Sequence, residues 1–181
     1  VQLMRSEKVK AFDLSNEPAA LQKKYGDGAF GRGCLMARRL VETGVKFIEV
    51  SLPGWDTHFE NNEAIKKLCG QLDPAMSTLV SDLEERGMLD ETLVVWMGEF
   101  GRTPAINQMG GRDHYPNAWT CVLSVGGIRG GQAFGRTSAD GTTVEEGKVA
   151  IGDVLAQSEE HTSGLQSPMY HVGRLLLENR K

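Results

Sequence analysis

From Phe30 to Thr43 the apolar positions recur at helical spacing, and Gly44 supplies the stop, so the pattern predicts an amphipathic helix there. A shorter helix is predicted from Glu17 to Tyr25, behind a Ser15/Asn16 cap and with Pro18 near its first helical position. A longer one runs from Asn61 to Arg86, where Ile65, Leu68, Leu72, Met76, Leu79, Val80 and Leu83 form the stripe and Gly87 ends it, with Pro74 inside as a candidate kink. The period changes between these helices. Val45 to Ser51 is β-branched and aromatic and is closed by Pro53-Gly54, which predicts a strand. Thr92 to Met97 is a nearly continuous apolar run, the pattern of a strand buried on both faces of a parallel sheet. Strand, long helix and strand in that order predict a βαβ unit.

Beyond Gly98 the pattern loosens: 11 of the 22 glycines fall between Gly98 and Gly147, so loops dominate. Trp119 to Val125 is a third strand candidate, Gln132 to Thr137 and Thr142 to Glu145 are short ones, Gly126-Gly127 and Gly130-Gly131 read as turns, and Val149 to Ala156 opens a further helix.

Composition narrows the classes. A chain of 181 residues with 40% apolar and 24% charged residues suits one ordinary domain with a core and excludes disorder. Twenty Lys and Arg against 24 acids leave a net charge of −4, without the basic excess that attracts nucleic acid or an anionic membrane. No apolar run approaches the length of a membrane span, and the opening Val1-Gln2-Leu3-Met4-Arg5-Ser6 has neither signal-peptide architecture nor an initiator Met. Cys34, Cys69 and Cys121 sit far apart in apolar segments, which suits buried thiols better than a disulfide framework. Trp55, Trp96 and Trp119 read as core or cleft wall, and the charged patch from Asp82 to Arg86 as a solvated helix face.

The stretch from Ser158 to Lys181 resembles a translated sequencing adapter, so the expected organisation is a partial domain over 1–157 followed by a non-native tail over 158–181. His161 and His171 are therefore not taken as ligands, which leaves His58 and His114 as the histidines of interest.

Both lie in unusual motifs. Gly54-Trp55-Asp56-Thr57-His58 directly follows the strand predicted over 45–51, where open α/β sheets hold ligands outside their strand ends. In an extended segment the two-residue spacing sends Asp56 and His58 to one side, so a carboxylate and an imidazole can grip one cation. Gly98-Glu99-Phe100-Gly101-Arg102-Thr103-Pro104 follows the second buried strand, and parallel βαβ geometry would bring Glu99 to the same edge. Arg102 offers a planar fork to a pair of phosphate or sulfate oxygens, or alternatively pairs with Glu99 in a structural loop. Gly110-Gly111-Arg112-Asp113-His114-Tyr115-Pro116 adds His114, completing a mixed oxygen and nitrogen set suited to zinc, manganese or iron. No Walker-type phosphate loop and no G-x-S-x-G elbow occurs.

Five motifs in order then carry a resemblance: A-F-x-L-S-N-E-P at 11–18, Y-G-x-G-x-F-G-R-G-C-L-x-A-R-R-L-V-E-x-G-V at 25–45, G-W-D-T-H at 54–58, G-E-F-G-R-T-P at 98–104 and G-R-D-H-Y-P at 111–116. Together they resemble the DUF1501 family of bacterial proteins, often labelled sulfatase-like and grouped with the alkaline phosphatase superfamily. The resemblance implies an α/β sandwich with a mainly parallel central sheet and two divalent metals at the carboxyl ends of its strands, here as its C-terminal part. Thr92 to Pro104 resembles the superfamily strand followed by S-D-H-G. It places Glu99 as a metal carboxylate but puts Phe100 where a histidine is expected. Asp56, His58 and His114 resemble ligands of the other metal, with a shorter Asp-to-His spacing than usual.

The site set read from all this is Asp56, His58, Glu99 and His114 as ligands of divalent metal ions, zinc or manganese, with Arg102 and Arg112 toward substrate and Asp113 and Trp55 behind the ligands. The implied activity is metal-dependent hydrolysis of a small-molecule or glycan phosphate or sulfate ester, with the nucleophile expected in a preceding half and the parent protein expected to be exported. A non-catalytic metal-binding or surface-associated protein on the same fold is the second reading. A purely structural domain is the third.

Overall fold

The computed structural model describes residues 7–124, 126, 131–150, 152–154 and 174–177. It divides into two compact units, one comprising residues 1–56 and 62–88, the other residues 57–61 and 89–181.

The first unit is helical. Short 3-10 turns at Glu7–Phe12 and Leu14–Asn16 lead into α1 (Ala19–Tyr25), α2 (Ala29–Glu42) and α3 (Asn61–Glu85), the last with its first residue in the other unit. Pro18 stands at the N-cap of α1, where its missing N–H costs nothing, and Pro74 lies inside α3. In α2 the buried positions Gly31, Cys34, Leu35 and Arg38 follow the i, i+3, i+4, i+7 rule, so the stripe that meets the core includes a cation. Tyr25, Cys34, Leu35 and Ala75 form that core, with Leu14, Leu21, Phe30, Val50 and Leu79 packed against it.

Arg38 is 1% exposed and is surrounded by acids: Glu17 at 2.6 Å, Glu42 at 2.7 Å and Asp82 at 2.9 Å, the last an ion-pair contact without a hydrogen bond along it. The Tyr25 hydroxyl donates to Asp82 at 3.0 Å, and Arg86 pairs with both Asp82 and Glu42. The patch from Asp82 to Arg86 is therefore not a wholly solvated face. Asp82 falls on the buried side of α3 in step with Leu68, Leu72, Ala75 and Leu79, and it is retained there because Arg38 neutralises it.

Residues 45–51 form no strand. A β-branched run becomes a strand only with a partner ladder, and among the described residues none pairs with it; Val50 serves the helical core and Phe47 is 86% exposed.

The second unit carries the sheets. Strands β1 (Val94–Trp96), β4 (Trp119–Ser124) and β7 (Arg174–Leu177) form a three-stranded sheet in the order β1-β4-β7. β2 (Gly101–Arg102) pairs with β3 (His114–Tyr115), and β5 (Arg136–Thr137) with β6 (Val144–Glu146). Every strand pair is antiparallel among the described residues, so the predicted parallel βαβ unit is not seen there. Within the run at 92–97, β1 is an edge strand among the described residues rather than one buried on both faces: Val95, Trp96 and Met97 are each 40–43% exposed. An apolar run shows that a segment tolerates burial, while neighbouring layers decide whether it is buried.

β4 has the alternation expected of one covered face, with Trp119, Cys121 and Leu123 buried against Val154, Leu93 and Val149. A second small cluster joins Ala118, Val144 and Tyr115. The predicted short strands at 132–137 and 142–145 shrink to the β5–β6 pair, and of the helix expected at 149–156 the described residues 152–154 are helical. Residues 125, 127–130 and 155–173, with most of the turn and tail predictions, lie outside the described residues.

Candidate metal centre

A two-residue extended pairing and a looped-back segment build the centre. In the β2–β3 ribbon Arg102 stands directly opposite His114, so the two side chains leave the same face of the ribbon. The connection from Thr103 to Asp113 folds back on the segment Thr57–Asn61. Arg112 N–H donates to Thr57 O at 3.0 Å, Glu60 N–H to Met109 O at 3.3 Å, and Asn61 N–H to Gly110 O at 2.9 Å, with Phe59 and Gly110 forming an isolated antiparallel bridge. These bonds hold His58 beside His114 without requiring either to belong to a long strand.

His58 Nε2 and His114 Nε2 face each other at 3.2 Å, and the rings lie 4.8 Å apart between centroids. The other nitrogen of His58, Nδ1, is 3.0 Å from Asp113 Oδ1. An ionised carboxylate can only accept, so Nδ1 carries the hydrogen and the Nε2 lone pair is turned toward His114. The hydrogen bond from His58, then that from Asn107, holds the Asp113 carboxyl below its usual range and so keeps it ionised. Asp56 lies two residues before His58 in the chain. One potential ligand atom from each of Asp56, His58 and His114 falls in a group spanning no more than 4.8 Å.

The other residues read from the sequence surround this group of three. Glu99 is exposed and outside that group of three. Phe100 packs its ring 4.6 Å from the ring of His114, and the Arg102 guanidinium lies over Phe100 at 5.8 Å from the centroid. Asp113 stands behind His58 as described, Trp55 is half-buried, and Arg112 contributes its backbone N–H to Thr57 while its side chain is half-buried.

The donor set fits a divalent cation. Two zinc-bound nitrogens at bond lengths of about 2.0–2.1 Å and tetrahedral angles stand roughly 3.3 Å apart, close to the observed 3.2 Å. A histidine whose second nitrogen donates to a carboxylate is also the usual arrangement of an imidazole metal ligand. Without an ion, one of the two facing Nε2 atoms must carry a hydrogen for the contact to be favourable.

A family profile described as "Protein of unknown function (DUF1501)" matches residues 1–172. The chain belongs to this family. Neither a curated protein nor a solved structure matches it. For this DUF1501 chain, the motifs at 54–58 and 111–116 are those whose histidines the tertiary structure joins. Asn107 and Gly111, which sequence reasoning left unassigned, turn out to hold them. The glycine pair at 110–111 and the Asn three residues earlier were the available signal, a turn signature within a motif already suspected.

Proposed function

We propose that the chain carries a divalent-metal centre of an ester hydrolase acting on phosphate or sulfate esters, with Asp56, His58 and His114 as the protein ligands and zinc or manganese as the ion. The observation that carries this reading is the facing pair of imidazole nitrogens at 3.2 Å, one of them oriented from behind by Asp113. When bound, the ion supplies Lewis-acid polarisation of an ester oxygen and lowers the pKa of a coordinated hydroxyl. The protein's own contribution is to fix the imidazoles and to present a fork of N–H donors beside them: Arg102, directly across the ribbon from His114, suits the oxygens of a tetrahedral anion. Arg112 is the second candidate for that anion. The nucleophile is assigned to no residue described above. The parallel-sheet sandwich of the alkaline phosphatase superfamily is the fold proposed for the domain.

A second reading, metal binding without turnover, is favoured by two observations. Glu99 lies outside the group of potential ligands, and Phe100 fills the space against His114 with an aromatic ring.

Zinc or manganese titration by calorimetry on the metal-free chain tests the centre, with one site expected and its loss expected in His114→Ala and His58→Ala. No binding by the unsubstituted chain overturns both readings. Hydrolysis of an aryl phosphate or aryl sulfate by a full-length family member, abolished by chelation and by the same substitutions, separates the first reading from the second.

A further inference from the structure

Asn107 is neither a proposed metal ligand nor a proposed substrate contact, yet the two segments that carry His58 and His114 meet on it. Its Nδ2 donates to His58 O at 3.1 Å and to Asp113 Oδ1 at 3.0 Å. Its Oδ1 accepts from Met109 N and from Gly111 N, both at 2.9 Å. Its backbone N–H donates to Gly111 O at 2.9 Å and its carbonyl accepts from Gly110 N at 3.1 Å. A side-chain amide has two N–H donors and one carbonyl acceptor with two lone pairs, and all four are used here.

The orientation of the amide is settled by its neighbours. Reversed, it would set its oxygen against the His58 carbonyl and the Asp113 carboxylate, two acceptors, and its NH2 against two N–H donors. The residue type is constrained in the same way. Asp would lose both donors and add a charge beside Asp113, Gln would carry the amide one methylene too far, and Ser would reach only one side.

We propose that Asn107 is the positioning residue of the metal centre, holding the His58 backbone and the Asp113 carboxylate together so that His58 stays in its Nδ1–H form with Nε2 turned toward His114. Asp113 Oδ1 receives one hydrogen bond from His58 Nδ1 and one from Asn107, so removing Asn107 leaves the carboxylate without one of its anchors and the His58 carbonyl without its donor. The tautomer of an imidazole follows the hydrogen bond that its non-ligating nitrogen makes. Freed from Asp113, His58 loses that preference, and its lone pair no longer has a fixed direction.

This inference rests on the metal-centre reading for its consequence and on hydrogen bonding alone for its cause, which makes the two separable. Long-range proton–nitrogen correlation spectra of the metal-free whole chain, recorded where both imidazoles are neutral, report the His58 tautomer directly. The unsubstituted chain is expected to show His58 with its hydrogen on Nδ1. Asn107→Ala and Asn107→Ser are expected to shift His58 toward the Nε2–H form. The serine variant keeps a hydroxyl acceptor for the loop amides, so it guards against simple loss of the loop fold.

In the same variants zinc affinity, measured by calorimetry, is expected to fall about 10- to 100-fold, the usual effect of removing a group that orients a metal-bound histidine. An unsubstituted chain whose His58 is not Nδ1–H, or variants that retain the Nδ1–H form, overturn the role of Asn107. Failure of the unsubstituted chain to bind zinc while the tautomer shift occurs overturns the metal reading and leaves the positioning of His58 by Asn107 standing.

Discussion

Gly111 is packed so tightly that the residue type follows from distances. A Cβ built there would lie 1.9 Å from the His58 carbonyl oxygen and 2.0 Å from its carbon, backbone atoms that cannot swing aside. Gly110 next to it is different, with φ of 73° and nothing closer than 3.8 Å to an added Cβ, so its constraint is conformational. Gly111→Ala is therefore expected to displace His58, costing about 1–3 kcal/mol in stability and weakening metal binding. Gly110→Asn, which tolerates the left-handed conformation, is expected to bind as the unsubstituted chain does; equal binding by both variants in a zinc titration would contradict the packing argument. The motifs at 54–58 and 111–116 were legible as candidate chemistry because two histidines and an aspartate are unusual neighbours in loops. That Asn107 joins them was not legible, since its partners lie at His58 and Asp113, one of them far along the chain.

Between elements, Arg38 is the residue that ties α2 to α3. Its side chain is 1% exposed, and Glu17 and Asp82 beside it are nearly as buried, so removing the cation leaves each of these buried acids with a single arginine, Arg39 for Glu17 and Arg86 for Asp82. Arg38→Ala is expected to cost about 3–5 kcal/mol, read from denaturant unfolding.

The same network sets an acid limit. Burial pushes the Glu17 carboxyl up, but hydrogen bonds from Arg38 and Arg39 outweigh it and hold it low; for Asp82 burial is likewise outweighed by hydrogen bonds from Arg86 and Tyr25 and by the charge of Arg38. Both carboxyls titrate lower folded than unfolded, so their stabilisation is complete above the unfolded values and is lost as pH falls through the folded ones. The unfolding midpoint should change little from pH 7 to about pH 5 and drop below about pH 4. In Arg38→Ala that acid drop should be shallower, and an unchanged slope would contradict the account. The helix pattern in the sequence located α1, α2 and α3 well. It misread Asp82, because a charge on a core stripe looks solvated until its partner on another helix is known.

At the scale of the whole molecule, an ion that binds the folded chain alone must raise its thermal midpoint. At about one hundred times the dissociation constant the gain is about 2.7 kcal/mol, or roughly 5–10 °C for a chain of this size. Calorimetric scans with zinc and with a chelator should differ by that much, and His114→Ala should erase the difference.

No helix among the described residues is long and apolar enough to cross a membrane. The sequence alone determined the helices, the β4 strand and the membership that five ordered motifs announce, because helix periodicity and motif order are local properties of the chain. Tertiary structure alone decided that 45–51 has no ladder among the described residues, that β1 is an edge paired antiparallel, and that Arg38 and Asp82 are buried together. Strand pairing, burial and the union of His58 with His114 each depend on a partner distant in the chain, and a single segment carries no record of which partner it will meet.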